Sequence, residues 1–251
     1  MNSVITIRTL GDNLTYLCQY GQNEAIVVDP GDSSPVLSVL DKQGLTLRTI
    51  LATHHHFDHT AGVADLKRRT ACTVVGGDRR IAGIDKVVGD GQILTFGNKT
   101  ILVLATPGHT RTSVCYYLRP SGDGSSPILW TGDTLFIGGC GRLLECDARS
   151  MWESLDKLAS LPDETLVYCG HDYTLENYEF ALSIEPGNEA VKRRIEEIRQ
   201  GGNTVPSTMS EEKTTNVFLR AGTPEIKAAL GMTQARAVEV FAESRRRKDV
   251  F

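Results

Sequence analysis

The segment 53–59, Thr-His-His-His-Phe-Asp-His, carries candidate metal ligands at His54, His56, Asp58 and His59. Imidazole nitrogens and carboxylate oxygens are the ligands that zinc takes in such sites. The segment directly follows the apolar run 50–52, which predicts a loop at the end of a β-strand. A loop in that position can direct these side chains around two ions about 3.5 to 4 Å apart, the usual separation in two-metal hydrolases. The segment therefore predicts a metal-dependent hydrolytic site.

Three further candidates follow other predicted strands, and each comes directly after a glycine: His109, Asp133 and His171. A glycine allows the sharp turn that brings backbone close to an ion. Any one of these residues alone would be read as an ordinary loop residue. Together they predict a shared site, because five of the 6 histidines fall into this pattern. His55 is the exception, and we expect it to face away from the ions. Asp29 either orients a ligating histidine or caps a turn.

The elements that position these residues are predicted from short β-rich runs bounded by glycine, proline, asparagine or aspartate. The predicted strands are 4–7, 15–20, 25–29, 49–53, 100–106, 113–118, 128–131 and 165–169. Helical patterns lie between them at 33–42 and 150–161, and dominate after His171 at 175–184, 189–200, 224–230 and 233–247. Strands alternating with helices predict sheet layers covered by helices, followed by a small helical C-terminal domain.

The composition excludes several classes of protein. The hydrophobic and charged fractions, 40% and 23%, are those of an ordinary globular chain of 251 residues, and the net charge of -4 provides no field for nucleic acid. No apolar run is long enough to span a bilayer, and residues 1–10 do not resemble a secretory or organelle signal. The cysteines are scattered, which favours buried free thiols. We expect a cytoplasmic monomer with no membrane or nucleic-acid partner.

The motif at 53–59 resembles the T-H-x-H-x-D-H signature of the metallo-β-lactamase superfamily, and the resemblance extends through His171. It implies an α+β fold, a four-layer αββα sandwich with its metals at one sheet edge. We divide the chain into a metal domain, 1–172, and a helical domain, 173–251. By the superfamily pattern, His54, His56 and His109 hold one metal. Asp58, His59 and His171 hold the other, and Asp133 bridges both.

A narrower resemblance links the chain to the hydroxyacylglutathione hydrolase family, the second glyoxalases. The segments that carry it are 132–136, 138–142, 171–177, 216–220 and 245–249. It implies that 173–251 is a glutathione-binding domain, and that Arg142, Tyr173, Asn177, Arg245 and Lys248 bind the glutathione moiety. Arginine and lysine suit the carboxylates of glutathione. The sequence departs from the family at Leu144, where an aromatic residue is common, and at Glu145-Cys146-Asp147-Ala148.

The reaction implied is hydrolysis of S-(2-hydroxyacyl)glutathione, S-D-lactoylglutathione above all, the second step of methylglyoxal detoxification. A pair of divalent ions supplies a hydroxide nucleophile, which Asp58 or Asp133 orients. We expect zinc, with iron or manganese also suited to the second position. One rival is a mononuclear-iron glutathione persulfide dioxygenase, which would not need Asp58, His59 and His171 together. A rival of another class is a non-catalytic zinc-binding module, which would close its metals with protein ligands.

Overall fold

The structure is a computed structural model that describes residues 4–120 and 124–251. These residues form two compact units. The first consists of the described residues of Met1–Ala105 and Thr112–Gly132, and the second of Thr106–Arg111 and Asp133–Phe251. This division into compact units differs from the domain boundary after residue 172, which stays a prediction.

The first unit begins with a mixed sheet and three helices. The strands are β1 (Val4–Thr9), β2 (Asn13–Tyr20), β3 (Glu24–Val28), β4 (Thr46–Ala52), β5 (Thr73–Gly76) and β6 (Lys86–Val87), adjacent in that order. Pairing is antiparallel from β1 to β3 and parallel from β3 to β6. The helices are α1 (Ser33–Gln43), α2 (Phe57–Thr60) and α3 (Val63–Thr70). Helix α1 begins where the Asp32 side chain accepts from Ser34 N, and ends at Gly44 in the left-handed conformation.

Helices α1 and α3 bury their apolar sides against one face of this sheet. Val36 and Leu40 lie four apart on α1, and Val63 and Leu66 three apart on α3, so each pair shares a helix face. These side chains pack in one apolar cluster with residues of the strands, including Leu17, Val27, Ile50 and Val74. Burial of this cluster fixes β4, whose end carries the candidate metal-binding loop.

A second, antiparallel set of strands completes the first unit. It contains β7 (Ile93–Phe96), β8 (Lys99–Ala105), β9 (Val114–Leu118) and β10 (Ile128–Gly132), in the order β10-β9-β8-β7. The hydroxyl of Tyr116 on β9 donates to the carbonyl of Ala52 on β4 at 2.9 Å. The two sheets therefore meet face to face at the strand that ends in the metal-binding loop.

The second unit is mainly helical. Its strands are β11 (Leu135–Phe136), β12 (Gly139–Cys140), β13 (Leu166–Cys169) and β14 (Ser207–Thr208), in the antiparallel pairs β11–β12 and β13–β14. Its helices are α4 (Ala148–Ala159), α5 (Thr174–Ile184), α6 (Glu189–Arg199), α7 (Met209–Thr215), α8 (Pro224–Ala229) and α9 (Ala237–Lys248). The predicted helical C-terminal region is confirmed.

Sequence patterns missed the shortest elements. Helix α7 contains only one apolar residue, Met209, and so shows no apolar period, yet Thr208 caps it by accepting from Glu211 N. Helix α9 begins at Ala237 rather than 233, because Arg236 and Glu239 form its N-terminal cap. Among the described residues, no helix has the length and apolar character that a membrane span requires.

Candidate metal centre

In the first unit, the candidate metal-binding loop begins at Thr53, and Asp29 fixes its start. The Asp29 carboxylate accepts from the Thr53 backbone N–H at 2.7 Å and from the Thr53 hydroxyl at 2.6 Å. Asp29 itself has φ 48°, a conformation that non-glycine residues rarely adopt. The strained backbone is thus held where its carboxylate meets the loop.

The same carboxylate orients His59. Nδ1 of His59 lies 3.1 Å from Oδ2 of Asp29, and both residues are buried. A carboxylate only accepts, so the ring proton belongs on Nδ1, and Nε2 keeps a lone pair that could bind an ion. Asp29 therefore contacts a candidate metal ligand, as the first of its two predicted roles requires.

His54 is oriented through Thr53. The Thr53 hydroxyl gives its proton to Asp29, so it accepts from Nδ1 of His54, which lies 3.0 Å away. This leaves the lone pair on Nε2 of His54, and that atom lies 3.0 Å from Nδ1 of His56. Two ring nitrogens that face each other at this distance suit a shared cation.

Asp58 is held by Asn13, a residue that the sequence did not single out. The buried Asn13 amide donates to Oδ2 of Asp58 at 3.0 Å and to its backbone oxygen at 3.1 Å. Nε2 of His59 lies 3.5 Å from the same Oδ2. A Cβ on Gly31 would lie 2.4 Å from the Asp58 backbone oxygen, so the close approach of the two segments requires glycine there.

His55 contacts a different carboxylate. Its Nδ1 lies 3.4 Å from Oδ2 of Asp78, which also accepts from Arg80 and Thr112. Burial opposes ionisation of Asp78, but these hydrogen bonds hold its pKa well below the usual range. The expectation that His55 points away from the ions stays a prediction.

In the second unit, two histidines converge on Asp133. Oδ2 of Asp133 lies 3.4 Å from Nε2 of His109 and 3.5 Å from Nε2 of His171, and all three residues are largely buried. Nδ1 of His109 donates to the Arg142 carbonyl at 2.9 Å, which leaves the lone pair on Nε2. The His171 ring stacks on Tyr173 at 5.0 Å, with Nδ1 3.2 Å from the hydroxyl.

The donor sets of both units fit a divalent metal. Within the first unit, the ligand atoms of Asp29, His54 and His59 all lie within 4.8 Å of one another. Asp29 is already engaged by Thr53 and by a histidine Nδ1, so we regard it as the residue that orients the ligands. Buried carboxylates among imidazole lone pairs match the preferences of zinc and similar ions.

The residues predicted to bind glutathione differ in their surroundings. Arg142 is exposed and Tyr173 half-buried. Lys248 is half-buried; burial lowers its pKa, and Nζ lies 3.2 Å from the Glu176 carbonyl. Asn177 and Arg245 are buried and donate to backbone carbonyls of the β11–β12 hairpin, Ile137 at 3.0 Å and Cys140 at 2.8 Å.

Of the departures from the family pattern, Asp147 has a structural role. Leu144 is exposed. Asp147 is the N-cap of α4, where it accepts from the Ser150 N–H at 2.9 Å and from the Ser150 hydroxyl at 2.8 Å. These hydrogen bonds lower the pKa of Asp147. Its carboxylate is thus engaged in capping.

Comparison with known proteins matches both parts of the chain. Residues 8–82 and 77–171 match the metallo-beta-lactamase superfamily, and residues 172–251 match the family described as Hydroxyacylglutathione hydrolase C-terminus. The hydroxyacylglutathione hydrolase of Methylococcus capsulatus is 47% identical over 100% of this chain and 99% of its own. The hydroxyacylglutathione hydrolase of Rhizobium meliloti is 46% identical over 89% of this chain and 88% of its own.

Solved structures confirm the predicted α+β sandwich. The crystal structure of ETHE1 from Myxococcus xanthus superposes with a TM-score of 0.68 at 27% identity, and covers 99% of both chains. A metallo-β-lactamase fold with a cluster of histidines and aspartates supports the binding of divalent metal. The relatives' identity over nearly the whole length places the chain in the hydroxyacylglutathione hydrolase family of the metallo-β-lactamase superfamily.

Proposed function

We propose that the protein hydrolyses S-(2-hydroxyacyl)glutathione thioesters, with S-D-lactoylglutathione as the main substrate. The observation that carries this proposal is the similarity to hydroxyacylglutathione hydrolases along the whole chain, through the metal-ligand loops and the C-terminal helices alike. A resemblance restricted to the superfamily fold would leave the bond cleaved undefined, because that scaffold supports several hydrolytic reactions.

The ligand assignment is part of the proposal. His54, His56 and His109 bind one divalent ion, Asp58, His59 and His171 bind a second, and Asp133 bridges them. Support comes from the ring tautomers within each unit, since hydrogen bonds at Nδ1 direct Nε2 of His54, His59 and His109 toward an ion. We propose zinc, with iron or manganese in the second position as the alternative.

The catalytic steps divide between ions and protein. When bound by these residues, a pair of divalent ions would supply a water molecule of lowered pKa and would polarise the thioester carbonyl. Asp58 or Asp133 accepts a hydrogen bond from the attacking water and orients it toward the carbonyl carbon. Glutathione leaves as a thiolate, and since the pKa of a free thiol is about 8.5, no strong general acid is needed.

Glutathione binding is assigned to Arg142, Tyr173, Asn177, Arg245 and Lys248. Among these, Arg142 and Lys248 offer positive charge at accessible positions for the glutathione carboxylates. Arg245 pairs with Asp249 at 3.0 Å besides its contact with Cys140. Arg245 therefore serves binding by holding the hairpin as well as by its charge.

The thiols are poor candidates for a nucleophile. Five of the six cysteines are buried, and none of the six forms a disulfide. Burial raises the pKa of Cys140 to about 11 and that of Cys169 to about 12. A thiol is nucleophilic only as the thiolate, so these side chains are inactive at neutral pH. This supports attack by water rather than by the protein.

We further propose that the chain acts as a cytoplasmic monomer on a small-molecule substrate, with the domain boundary after residue 172. The C-terminal family match begins at residue 172, which supports the boundary. Sedimentation measurements on the purified protein test the oligomeric state.

A direct assay tests the function. Purified protein loaded with zinc should hydrolyse S-D-lactoylglutathione and release free thiol, and should act far more slowly on an acyl thioester that lacks glutathione. Dioxygen consumption with glutathione persulfide, measured on a second portion of the same protein loaded with ferrous iron, tests the dioxygenase alternative. Thiol release without oxygen uptake supports the proposal, and oxygen uptake without thioester hydrolysis contradicts it.

A further inference from the structure

The β11–β12 hairpin, residues 135–140, and the two residues after it contact the candidate ligands of the second unit. At its base, a Cβ on Gly141 would lie 1.9 Å from the Asp133 backbone oxygen, so these two backbones are in close contact. The next residue, Arg142, accepts the hydrogen bond from His109. At the tip of β11, the Phe136 ring meets the His171 ring edge-on at 6.0 Å. The hairpin therefore adjoins every candidate metal ligand of this unit.

The turn of the hairpin is too tightly packed to take other residues. Gly138 has φ 67°, and a Cβ there would lie 2.7 Å from the Tyr178 ring. A Cβ on Gly139 would lie 2.5 Å from the Asn177 amide. Residues of α5 thus press directly on the turn, and any shift of α5 or of the turn moves the other.

Polar side chains from three helical segments bind the hairpin backbone. We call them the hairpin-binding cluster: Asn177, Glu212, Asn216 and Arg245. Glu212 accepts from the Gly138 N–H at 2.9 Å. Asn216 donates to the Gly139 carbonyl at 3.0 Å and to the Phe136 carbonyl at 3.3 Å. With the contacts of Asn177 and Arg245, this cluster satisfies the backbone polar groups of the turn, which would otherwise be buried at a cost.

Glu212 is the central member of the cluster. It is fully buried on α7, and besides Gly138 it accepts from the Ser207 hydroxyl at 2.7 Å and from the Asn216 amide at 2.9 Å. Burial raises its pKa to about 7, although these donors favour the ionised form. An apolar residue would be the less costly choice for folding alone, because removing a carboxylate from water carries a large penalty.

We propose that Glu212 and Asn216 are positioning residues for the reaction: by fixing the hairpin turn they hold Asp133, His109 and His171 in ligating geometry and keep Arg142 beside the substrate. The geometry distinguishes this role from general stabilisation, since both side chains bind the turn that lies between Asp133 and Arg142 in the chain. The inference rests on the proposed function, because it assigns a purpose to the same metal and substrate residues.

The test compares Glu212→Gln, Glu212→Leu and Asn216→Ala with Val191→Ala. Val191 is buried on α6 in the same unit, so its truncation lowers stability without removing a hydrogen bond to the hairpin. For each folded variant we measure the zinc dissociation constant by chelator competition, KM and kcat for S-D-lactoylglutathione, and hydrogen exchange at the Gly138 amide. Exchange reports on the hairpin without any metal.

We expect zinc affinity to fall at least about tenfold and KM to rise in Glu212→Leu and Asn216→Ala, with faster exchange at Gly138. Glu212→Gln should show a smaller loss of zinc affinity and a smaller rise in KM, because its amide oxygen still accepts a hydrogen bond from the Gly138 N–H. Val191→Ala should keep wild-type zinc affinity and KM. If Glu212→Leu does not fold, the other two variants decide the question.

Wild-type zinc affinity and KM in Asn216→Ala and Glu212→Gln, despite faster exchange at Gly138, would overturn the positioning role and leave the proposed function standing. A wild-type protein that neither binds zinc nor hydrolyses the thioester would instead overturn the proposed function. The two failures are thus distinguishable in one set of measurements.

Discussion

The metal-binding loop of the first unit and the hairpin-binding cluster of the second unit differ in how far apart their residues lie along the chain. Both hold candidate ligands in place. The loop is local: His54, His56, Asp58 and His59 lie within six residues after one strand. The hairpin-binding cluster is long-range: Glu212 and Asn216 reach the hairpin from more than seventy residues away along the chain.

The comparison shows that ligands can be concentrated in a motif while their supports are dispersed. Even in the local loop, two supports come from far away, because Asp29 orients His59 and Asn13 holds Asp58. Supporting residues need only present one donor or acceptor at the right place, so their spacing follows the fold and not the metal. Mutation of a metal ligand should therefore reduce metal binding and activity more than mutation of a supporting residue.

The largest effect is expected from Asp133, the residue that we propose to contact both ions. Asp133→Ala should reduce the metal content and lower kcat by several orders of magnitude, because one carboxylate serves both ions and the attacking water. Metal analysis and steady-state kinetics on the purified variant test this. Near-normal turnover would show that the ions do not share this residue.

Mutation of Asn13, which supports Asp58 in the first unit, should have a smaller effect on metal binding. Asn13→Ala removes both hydrogen bonds to Asp58, and should weaken binding of one of the two ions about 10 to 100-fold. Competition with a chelator measures the zinc dissociation constant of the variant. Leu17→Ala is the matched control, since Leu17 is buried on the same strand in the apolar cluster. Equal zinc affinity in Asn13→Ala and Leu17→Ala would mean that Asn13 serves the fold only.

A substrate residue should change binding and not turnover. Lys248→Ala should raise KM for S-D-lactoylglutathione about tenfold with little change in kcat, the signature of lost uniform binding. Arg246→Ala is the control on the same helix, because Arg246 is exposed and pairs with Glu243. A wild-type KM in Lys248→Ala would remove Lys248 from the binding site.

The smallest effect concerns pH. Because the pKa of Glu212 is raised from 4.5 to about 7 in the folded state, the folded protein holds this proton more tightly than the unfolded chain. Stability from this group is thus present below pH 4.5 and is lost as pH rises to about 7, by at most about 1.4 kcal/mol per pH unit. Urea unfolding of wild type and Glu212→Gln measures the difference. The free energy of unfolding of wild type, relative to that of Glu212→Gln, should fall as the pH rises. A rise with pH would contradict the raised pKa of Glu212.

Local patterns in the sequence predicted the strands, the helical region and the candidate ligands, whereas the sandwich was implied by the resemblance of residues 53–59 to a superfamily motif. Short β-rich runs bounded by turn residues indicated the strands, and ligand types at the ends of those runs indicated the site. Asn13, Glu212 and Asn216 gave no such signal, since an isolated asparagine or glutamate is common on any surface. Asn216 lay in a segment that resembled the family, yet its role needed the hydrogen bonds to Phe136 and Gly139.

The central claim is that a pair of divalent ions, held by both sets of ligands, drives thioester hydrolysis. Metal-free protein titrated with zinc, while S-D-lactoylglutathione hydrolysis is followed, tests this most directly. We predict that activity rises until about two equivalents of zinc are bound per chain and then stays constant. Maximal activity at one equivalent, or no hydrolysis with two equivalents bound, would contradict the binuclear mechanism.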